Sequence, residues 1–362
     1  MSPKILIIGA TGKLGQKLLN FSSKHNIQIN SITAYKNDQK LLKIKTKYNI
    51  LNSFLLSDEN QRSNFIKFLK FNKFNIVYFL DFGSASLSYI EIYLKFHSKT
   101  YIAIANKELL IAGGHYLISM FNKTNNYLIP LDSEHFSLSN SKLNQTDIHK
   151  VFITASGGPF YFKKKISINN VTKKDVLSHP KWIMGKNNLI DSSNFINKIL
   201  ELFELSFIYS IDINKIDFVI SPEAFIHSFV VYKNGSISFN CFQNDMIITL
   251  SAPLRKFYNL PPFVSKQYKF DPKLFYFEEF KDDRFEILKK IKIVKKFTQY
   301  QLLQFMLLNN LAQELYLQNK LKYADIPNYI FKRIDFKNNK FKINSIQKIL
   351  QKIKLIRHDI QI

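Results

Sequence analysis

Apolar runs alternate with helical stripes along the first third of the chain. Residues 4–8, KILII, lead at once into GATGKLGQKLLNF, which reads as a tight turn and an amphipathic helix. IQINSITAYKN (27–37) gives a second strand, and FNIVYFLDF (74–82) and TYIAIAN (100–106) read as buried strands with helical stretches between them. Such alternation predicts a parallel α/β sheet over residues 1–130. From 131 to 260 the elements are mixed, which predicts an α+β domain. Residues 261–285 contain prolines and no clean period and read as a linker. From 286 to 362 the pattern is helical, with a Lys-rich tail that lacks glycine, and predicts a C-terminal α-helical domain.

Composition narrows this picture. The chain has 362 residues, 46% of them hydrophobic, enough for two or three domains. No apolar run approaches the roughly 18 to 20 residues of a membrane span, so no membrane partner is expected. The opening MSPKILIIGATG enters a strand directly, and the expectation is a cytoplasmic chain without a signal or transit peptide. The single cysteine, Cys241, permits no intrachain disulfide and fits a reducing compartment. A formal net charge of +25 raises the question of a nucleic-acid partner. However, Lys, Asn, Ile, Phe and Tyr, the residues of A- and T-rich codons, are all in excess, and the charge runs the whole length of the chain. Drift in a reduced bacterial genome, such as a symbiont's, accounts for the charge better, and no nucleic-acid partner is expected. With only 10 glycines, clustered ones carry information: a trio near the N-terminus and the pairs Gly113-Gly114 and Gly157-Gly158.

The trio lies in Gly9-Ala10-Thr11-Gly12-Lys13-Leu14-Gly15, between a strand and a helix. There, glycines let the backbone approach a phosphate and the helix N-terminus offers free N–H groups. A glycine turn without ligand is the plainer reading; the end of the second strand favours a Rossmann-like dinucleotide domain. Where NAD-binding folds place an acid, about twenty residues on, this chain reads Ala34-Tyr35-Lys36-Asn37. A lysine there suits a ribose 2′-phosphate, so the expected cofactor is NADPH.

Two carboxylates, Asp132 and Glu134, stand two apart in PLDSEHFSL (130–138), which reads as a short strand entering a turn and so puts both on one face. Downstream, DSSNFINKILELFE (191–204) reads as a helix from about Ser193 capped by Asp191 or Ser192. Asn197, Lys198 and Glu201 can share one face of it, as a pocket wall or as a solvated surface. The only tryptophan, Trp182, and His179 lie just upstream, and ITASGGPF (153–160) adds a second glycine turn with a hydroxyl. Hydroxyls, an amide, a lysine and a histidine are what a phosphate monoester needs, with the Lys and His offsetting its charge. Asp132, Glu134 and Glu201 would make an all-oxygen site for Mg²⁺ or Mn²⁺. Equally, Asp132 could cap a turn and Glu134 pair with a lysine; spacing leaves both open.

Together these stretches resemble one family, 1-deoxy-D-xylulose 5-phosphate reductoisomerase. The resemblance rests on GATGKLGQ (9–16), ANKELLIAGG (105–114), PLDSEH (130–135), TASGGPF (154–160), HPKWIMG (179–185), DSSNFINKILELFE (191–204) and IHSFVVYKNGS (226–236), in family order. It implies an NADPH- and divalent-metal-dependent oxidoreductase and isomerase of non-mevalonate isoprenoid biosynthesis, and a homodimer. Its substrate would be the ketose phosphate and its product 2-C-methyl-D-erythritol 4-phosphate. By the same resemblance Asp132, Glu134 and Glu201 would bind the metal, and Glu134 and Glu201 would also face substrate. Lys107 and Ser133 would contact the substrate's oxygen-bearing carbons. Ser156, Ser192, Asn197 and Lys198 would grip its phosphate, with His179 nearby and Trp182 on a closing loop. Thr11, Gly12, Lys13 and Leu14 would hold the pyrophosphate side of NADPH, and Lys36 and Asn37 its 2′-phosphate. Ala105, Asn106, Glu108, Met184 and Gly185 would lie toward the nicotinamide half. The domains become 1–130 for NADPH, 131–260 for catalysis, metal and substrate, 261–285 as linker and 286–362 as a helical domain.

The chain departs from the family pattern at Ser221-Pro222-Glu223-Ala224, where a family histidine is absent, at Tyr35 in place of a glycine, at Asn187 in place of a basic residue, and at Asn309-Asn310 in place of Asn-Glu. None of these removes an implied metal ligand or phosphate contact, and an active enzyme is expected. A semialdehyde dehydrogenase on the same nucleotide fold would need a nucleophilic cysteine, and Cys241 lies outside every motif. A degenerate relative that binds NADPH without turnover and a basic nucleic-acid-binding protein are the remaining alternatives. The second would show salt-sensitive DNA retention.

Overall fold

The computed structural model describes residues 2–141, 143–163, 165–179, 185–261, 275–279, 282–337 and 344–361. The chain divides into two compact units, Met1–Phe136 with Asp245–Phe270, and Ser137–Asn244 with Asp271–Ile362.

The first unit is built on a six-stranded sheet of β1 (Ile5–Ile8), β2 (Ser31–Ala34), β3 (Asn52–Leu55), β4 (Ile76–Phe79), β5 (Tyr101–Ile104) and β6 (Tyr127–Pro130). Its order is β3-β2-β1-β4-β5-β6 and every pairing is parallel. The strands of the apolar runs come where the pattern puts them, and β1 and β4 are buried throughout, as central strands of a covered parallel sheet must be. The connections are α1 (Lys13–Lys24), α2 (Asp38–Lys47), α3 (Glu59–Phe71), α4 (Ser86–Phe96) and α5 (Lys107–Thr124). The strand order reverses between β1 and β4, and in such sheets the crevice beyond the strand ends at that point receives the ligand.

The first unit does not close at residue 130. A short helix α6 (Ser133–Ser137) straddles its boundary, and the chain returns at 245. There α10 (Ile247–Ser251) and the turn after it bury Ile247, Leu250, Leu254 and Leu260 in the core that holds β1 and α1. Tyr78 donates its hydroxyl to the Leu250 carbonyl at 2.8 Å, and Lys17 pairs with Asp245 at 2.6 Å. The sequence pattern leaves 245–260 with the catalytic domain because so short a helix carries no period that names its distant partner.

The second unit has a mixed sheet, β10-β9-β7-β8, of β7 (Ile148–Ala155), β8 (Ile216–Ile220), β9 (Ile226–Tyr232) and β10 (Ile237–Cys241). Its helices are α7 (Lys173–Val176), α8 (Lys186–Ser193) and α9 (Ile196–Tyr209), followed by α11 (Glu286–Lys289), α12 (Ile291–Val294), α13 (Gln299–Leu317), α14 (Ile326–Phe331) and α15 (Ile346–Gln361). Leu202 and Leu205 of α9 pack with Val151 and Ile153 of β7. Most of the expected linker lies outside the described residues. Its described parts from 275 on are fixed to this unit: Glu278 bridges Ile220, and Arg284 donates to the carbonyls of Phe160, Lys163 and Ile166. No helix among the described residues is long and apolar enough to cross a membrane. Phe71, Phe82, Phe96 and Phe162 are exposed, in keeping with a surface shaped by drift.

Helix ends show how the chain manages with few glycines. Asn26, Asn49 and Asn319 follow α1, α2 and α13 with φ of 55°, 50° and 62°, the left-handed position that glycine usually takes. The N–H of the next residue closes each end, Ile27 on Ser22, Ile50 on Lys45 and Lys320 on Leu315. Asparagine tolerates this region better than other side chains.

Where glycine does occur at the first turn, it is needed. A Cβ on Gly15 would lie 2.6 Å from the Ala10 carbonyl oxygen. Gly15→Ala should therefore destabilise the protein by about 2 kcal/mol, the backbone clash outweighing a helix-propensity gain of about 1 kcal/mol. A lower urea midpoint at unchanged slope is the expected result.

Candidate active site

The glycines of the first turn have unequal duties. Gly9, at φ +89°, and Gly15 both lie where a Cβ would strike backbone. Gly12, which begins α1, would bring a Cβ no closer than 3.4 Å to its neighbours. The fold therefore leaves open, at Gly12, a side on which a phosphate can approach the α1 N-terminus. Gly12 and Lys13 are exposed, and Thr11 and Leu14 half-buried. After β2, Tyr35, Lys36 and Asn37 are exposed, with the Lys36 ammonium 5.6 Å from the Tyr35 ring centroid. The Asn37 side chain caps α2 by accepting from the Lys40 N–H at 3.0 Å.

After β5, Asn106 caps α5 through the Leu109 N–H at 2.9 Å, and its amide donates to the Gly83 carbonyl at 3.0 Å. This side chain is buried and occupied, so a cofactor contact at Asn106 would come from its backbone. Glu108, also buried, follows in the first turn.

The carboxylate pair does not lie on a strand. β6 ends at Pro130, and Asp132 caps α6: its Oδ1 accepts from the Glu134 N–H at 3.2 Å and its carbonyl from the Phe136 N–H at 2.8 Å. Asp132 stands just before α6 and Glu134 in its first turn, so it is the helix start, not a shared strand face, that pairs them. What offsets their charges is visible: Lys107 Nζ sits 2.5 Å from Asp132 Oδ2, Ser133 donates to the Glu134 carboxylate, and the helix N-terminus faces Asp132. His135 Nδ1 lies 3.7 Å from Asp132 Oδ1.

In the second unit, β7 runs into the turn Ser156-Gly157-Gly158. Both glycines have positive φ, 85° and 64°. A Cβ on Gly158 would be 3.0 Å from the Ser192 carbonyl, so the turn abuts the end of α8. Ser156 Oγ is 3.2 Å from His179 Nε2. Asp191 and Ser192 lie inside α8 and do not cap the next helix. Phe195 holds the cap position and makes the break at φ 67°, and the Asn194 side chain before it accepts from the Ile196 N–H at 3.0 Å. A helical period cannot reveal a two-residue break centred on a phenylalanine.

On α9, Lys198 Nζ meets Glu201 Oε2 at 2.6 Å, and the Asn197 amide donates to Glu201. Lys198 and Glu201 are 8% and 1% exposed, which excludes the solvated-surface reading. Burial, with a smaller contribution from the Lys198 ammonium, lowers the His179 pKa to about 4. His179 is then a neutral hydrogen-bonding group at pH 7, beside the Lys198 ammonium. Ser156, His179, Ser192, Asn197 and Lys198 thus all belong to one unit, on the Ser156 turn, the segment between α7 and α8, α8 itself and α9. Gly185 starts α8 with open space around it. Trp182 and Met184 lie outside the described residues.

One network has no counterpart in the sequence pattern. Asp191 accepts from Asn309 at 3.0 and 3.1 Å and from Gln313 at 2.5 Å, and Tyr323 donates to Ser193 at 2.9 Å. It pins the serine-bearing end of α8 to α13 and its successor. The only signal is Asn309-Asn310 in the helical tail, a departure from the family. Another departure, Ser221, has a buried Oγ without a hydrogen-bond partner among the described residues.

Comparison with known proteins agrees with the motif series. A profile of the 1-deoxy-D-xylulose 5-phosphate reductoisomerase C-terminal domain matches residues 128–209. A protein of Pelagibacter ubique with the name 1-deoxy-D-xylulose 5-phosphate reductoisomerase is 31% identical over 94% of this chain and 93% of its own. The Clostridium kluyveri protein of that name is 31% identical over 89% of each. Among solved structures, the Zymomonas mobilis reductoisomerase in complex with NADPH superposes with a TM-score of 0.82, covering 99% of this chain and 98% of that one at 22% identity. A reductoisomerase in complex with NADPH, fosmidomycin and magnesium gives 0.85 over 99% and 97%, also at 22% identity. These two show the shared fold.

The lowered His179 pKa fixes a sign. Between about 6.5 and 4 the unfolded chain binds this proton and the folded chain does not, so wild type loses stability as pH falls through that window. His179→Gln should narrow its gap to wild type, or overtake it, as thermal midpoints are followed downward from neutral pH.

Proposed function

The chain belongs to the 1-deoxy-D-xylulose 5-phosphate reductoisomerase family, and from that premise we propose that it converts 1-deoxy-D-xylulose 5-phosphate to 2-C-methyl-D-erythritol 4-phosphate in non-mevalonate isoprenoid synthesis. It does so with NADPH and Mg²⁺ or Mn²⁺, as a homodimer in the cytoplasm of a bacterium. Bound, NADPH supplies hydride and the divalent ion supplies Lewis acidity toward the ketose oxygens.

The chain's own residues do the rest. Thr11, Gly12, Lys13 and Leu14 receive the pyrophosphate, and the open side of Gly12 supports this. Lys36 takes the 2′-phosphate, with Asn37 beside it. Ala105, Asn106, Glu108, Gly185 and Met184 border the nicotinamide half. Asp132, Glu134 and Glu201 would hold the ion; their all-oxygen donor set suits a hard cation. Lys107 and Ser133 orient the substrate oxygens, and Lys107 already carries its ammonium to the carboxylate concerned. Ser156, Ser192, Asn197 and Lys198 grip the substrate phosphate with His179 as a neutral partner. Binding energy collected there, away from the reacting carbons, is available to the chemical step. The observation that carries the reading is the 31% identity over 94% of this chain and 93% of the relative.

The test is NADPH oxidation, followed by near-ultraviolet absorbance, with the ketose phosphate and Mg²⁺ or Mn²⁺. Oxidation that EDTA abolishes and fosmidomycin blocks is expected. A folded protein that binds NADPH without oxidising it would be a degenerate relative. Glu201→Gln should leave NADPH affinity nearly intact and lower metal-dependent turnover by at least about a hundredfold. Equal loss of both would make Glu201 a structural residue.

A further inference from the structure

The roles assigned above leave Asp81 without a part. It follows β4, on the far side of the strand-order reversal from the glycine turn that follows β1. The two loops touch: a Cβ on Gly9 would lie 2.6 Å from the Asp81 nitrogen. Asp81 is half-buried, and its carboxylate accepts from Ser86 Oγ and, at 3.3 Å, from the Asn106 amide. Both donors are neutral. No cation pairs with it among the described residues.

The charged and titratable groups on the elements around it are committed elsewhere or act at a distance. Arg62 of α3 pairs with Glu59 at 3.2 Å, and Lys107 of α5 with Asp132. Lys13 opens α1, and Glu108 follows Lys107. The Tyr89 phenol of α4 is pushed to about 12 by burial, against Arg62 and with smaller help from Asp81 and Tyr35. Asp81 itself is raised from 3.8 to about 6, because desolvation outweighs the bonds from Ser86 and Asn106.

A carboxylate beside a phosphate-receiving turn opposes the ligand the turn is shaped for. A protonated carboxyl does not, and its O–H becomes a donor. We propose that Asp81 makes cofactor binding proton-linked, its carboxylate gaining proton affinity and drawing proton from solvent as the dinucleotide pyrophosphate settles on the Gly9–Gly15 turn. The proposal rests on the dinucleotide reading of that turn. Asp81 acts through charge and through its hold on the Asn106 amide, as a positioning residue.

The experiment titrates NADPH, by its fluorescence, into wild type and Asp81→Asn from about pH 5 to about pH 8. The quantity read is the ratio of the two dissociation constants, which cancels the cofactor's own ionisation. It should be near one at the acid end and reach about threefold or more in favour of Asp81→Asn at the alkaline end. Ser86→Ala, which removes a donor to the carboxylate, should move the midpoint of that rise to higher pH. A second readout needs no cofactor. The folded pKa lies above the ordinary value, so the native protein binds more protons than the unfolded chain between 3.8 and about 6. Wild-type stability should fall relative to Asp81→Asn across that window and stay level above it. A flat ratio in proteins that bind NADPH overturns the proposal, as does a stability difference that ignores pH. Absence of NADPH binding in wild type and variant alike overturns the dinucleotide reading, and the proposal with it, even where the stability curves show Asp81 titrating.

Discussion

In the first unit every strand of the sheet points the same way, so every strand ends at the same edge. That single constraint assembles the chemistry. The glycine turn follows β1, Tyr35 and Lys36 follow β2, Asp81 follows β4, Asn106 and Lys107 follow β5, and Asp132 follows β6. Residues more than a hundred positions apart in the chain meet at this edge because parallel pairing leaves their strands no other end to use. The buried strands supply the rigidity, and the loops supply nearly all the polar groups.

Each unit sets a lysine against a carboxylate proposed as a ligand of the ion: Lys107 on Asp132, Lys198 on Glu201. Such pairs when buried contribute little to stability, since desolvation offsets most of the attraction. Their placement is better understood as serving the site. Lys198 does this twice over, since its field also helps keep the neighbouring His179 neutral.

How much of this could be read from the sequence depended on how local each signal was. The strands of the first sheet announced themselves by apolar runs, and the glycine turn by its place between a strand and a helix. Asn197, Lys198 and Glu201 shared a helix face, as their spacing implied. Asp132 and Glu134 were singled out correctly as neighbours, but on a strand that is in fact a helix start, because a five-residue helix beside a proline carries too few positions to show a period. The return of 245–260 to the first core, the Phe195 break and the Asp191–Asn309–Gln313 network depend on contacts across long separations or on a backbone break, and no pattern of polar and apolar positions encodes those. Asp81 stood in plain view within FNIVYFLDF, but its significance comes from what packs around it.

The asparagines at the helix ends carry a further consequence. Glycine in a left-handed position is unstrained, but it enlarges the freedom of the unfolded chain that folding must remove. Asparagine reverses the balance, accepting some strain in the folded backbone and restricting the chain when it is unfolded. A protein poor in glycine therefore need not be less stable at these turns. It carries the penalty in the native structure rather than in the disordered ensemble, and Asn26, Asn49 and Asn319 hold it at exposed turns.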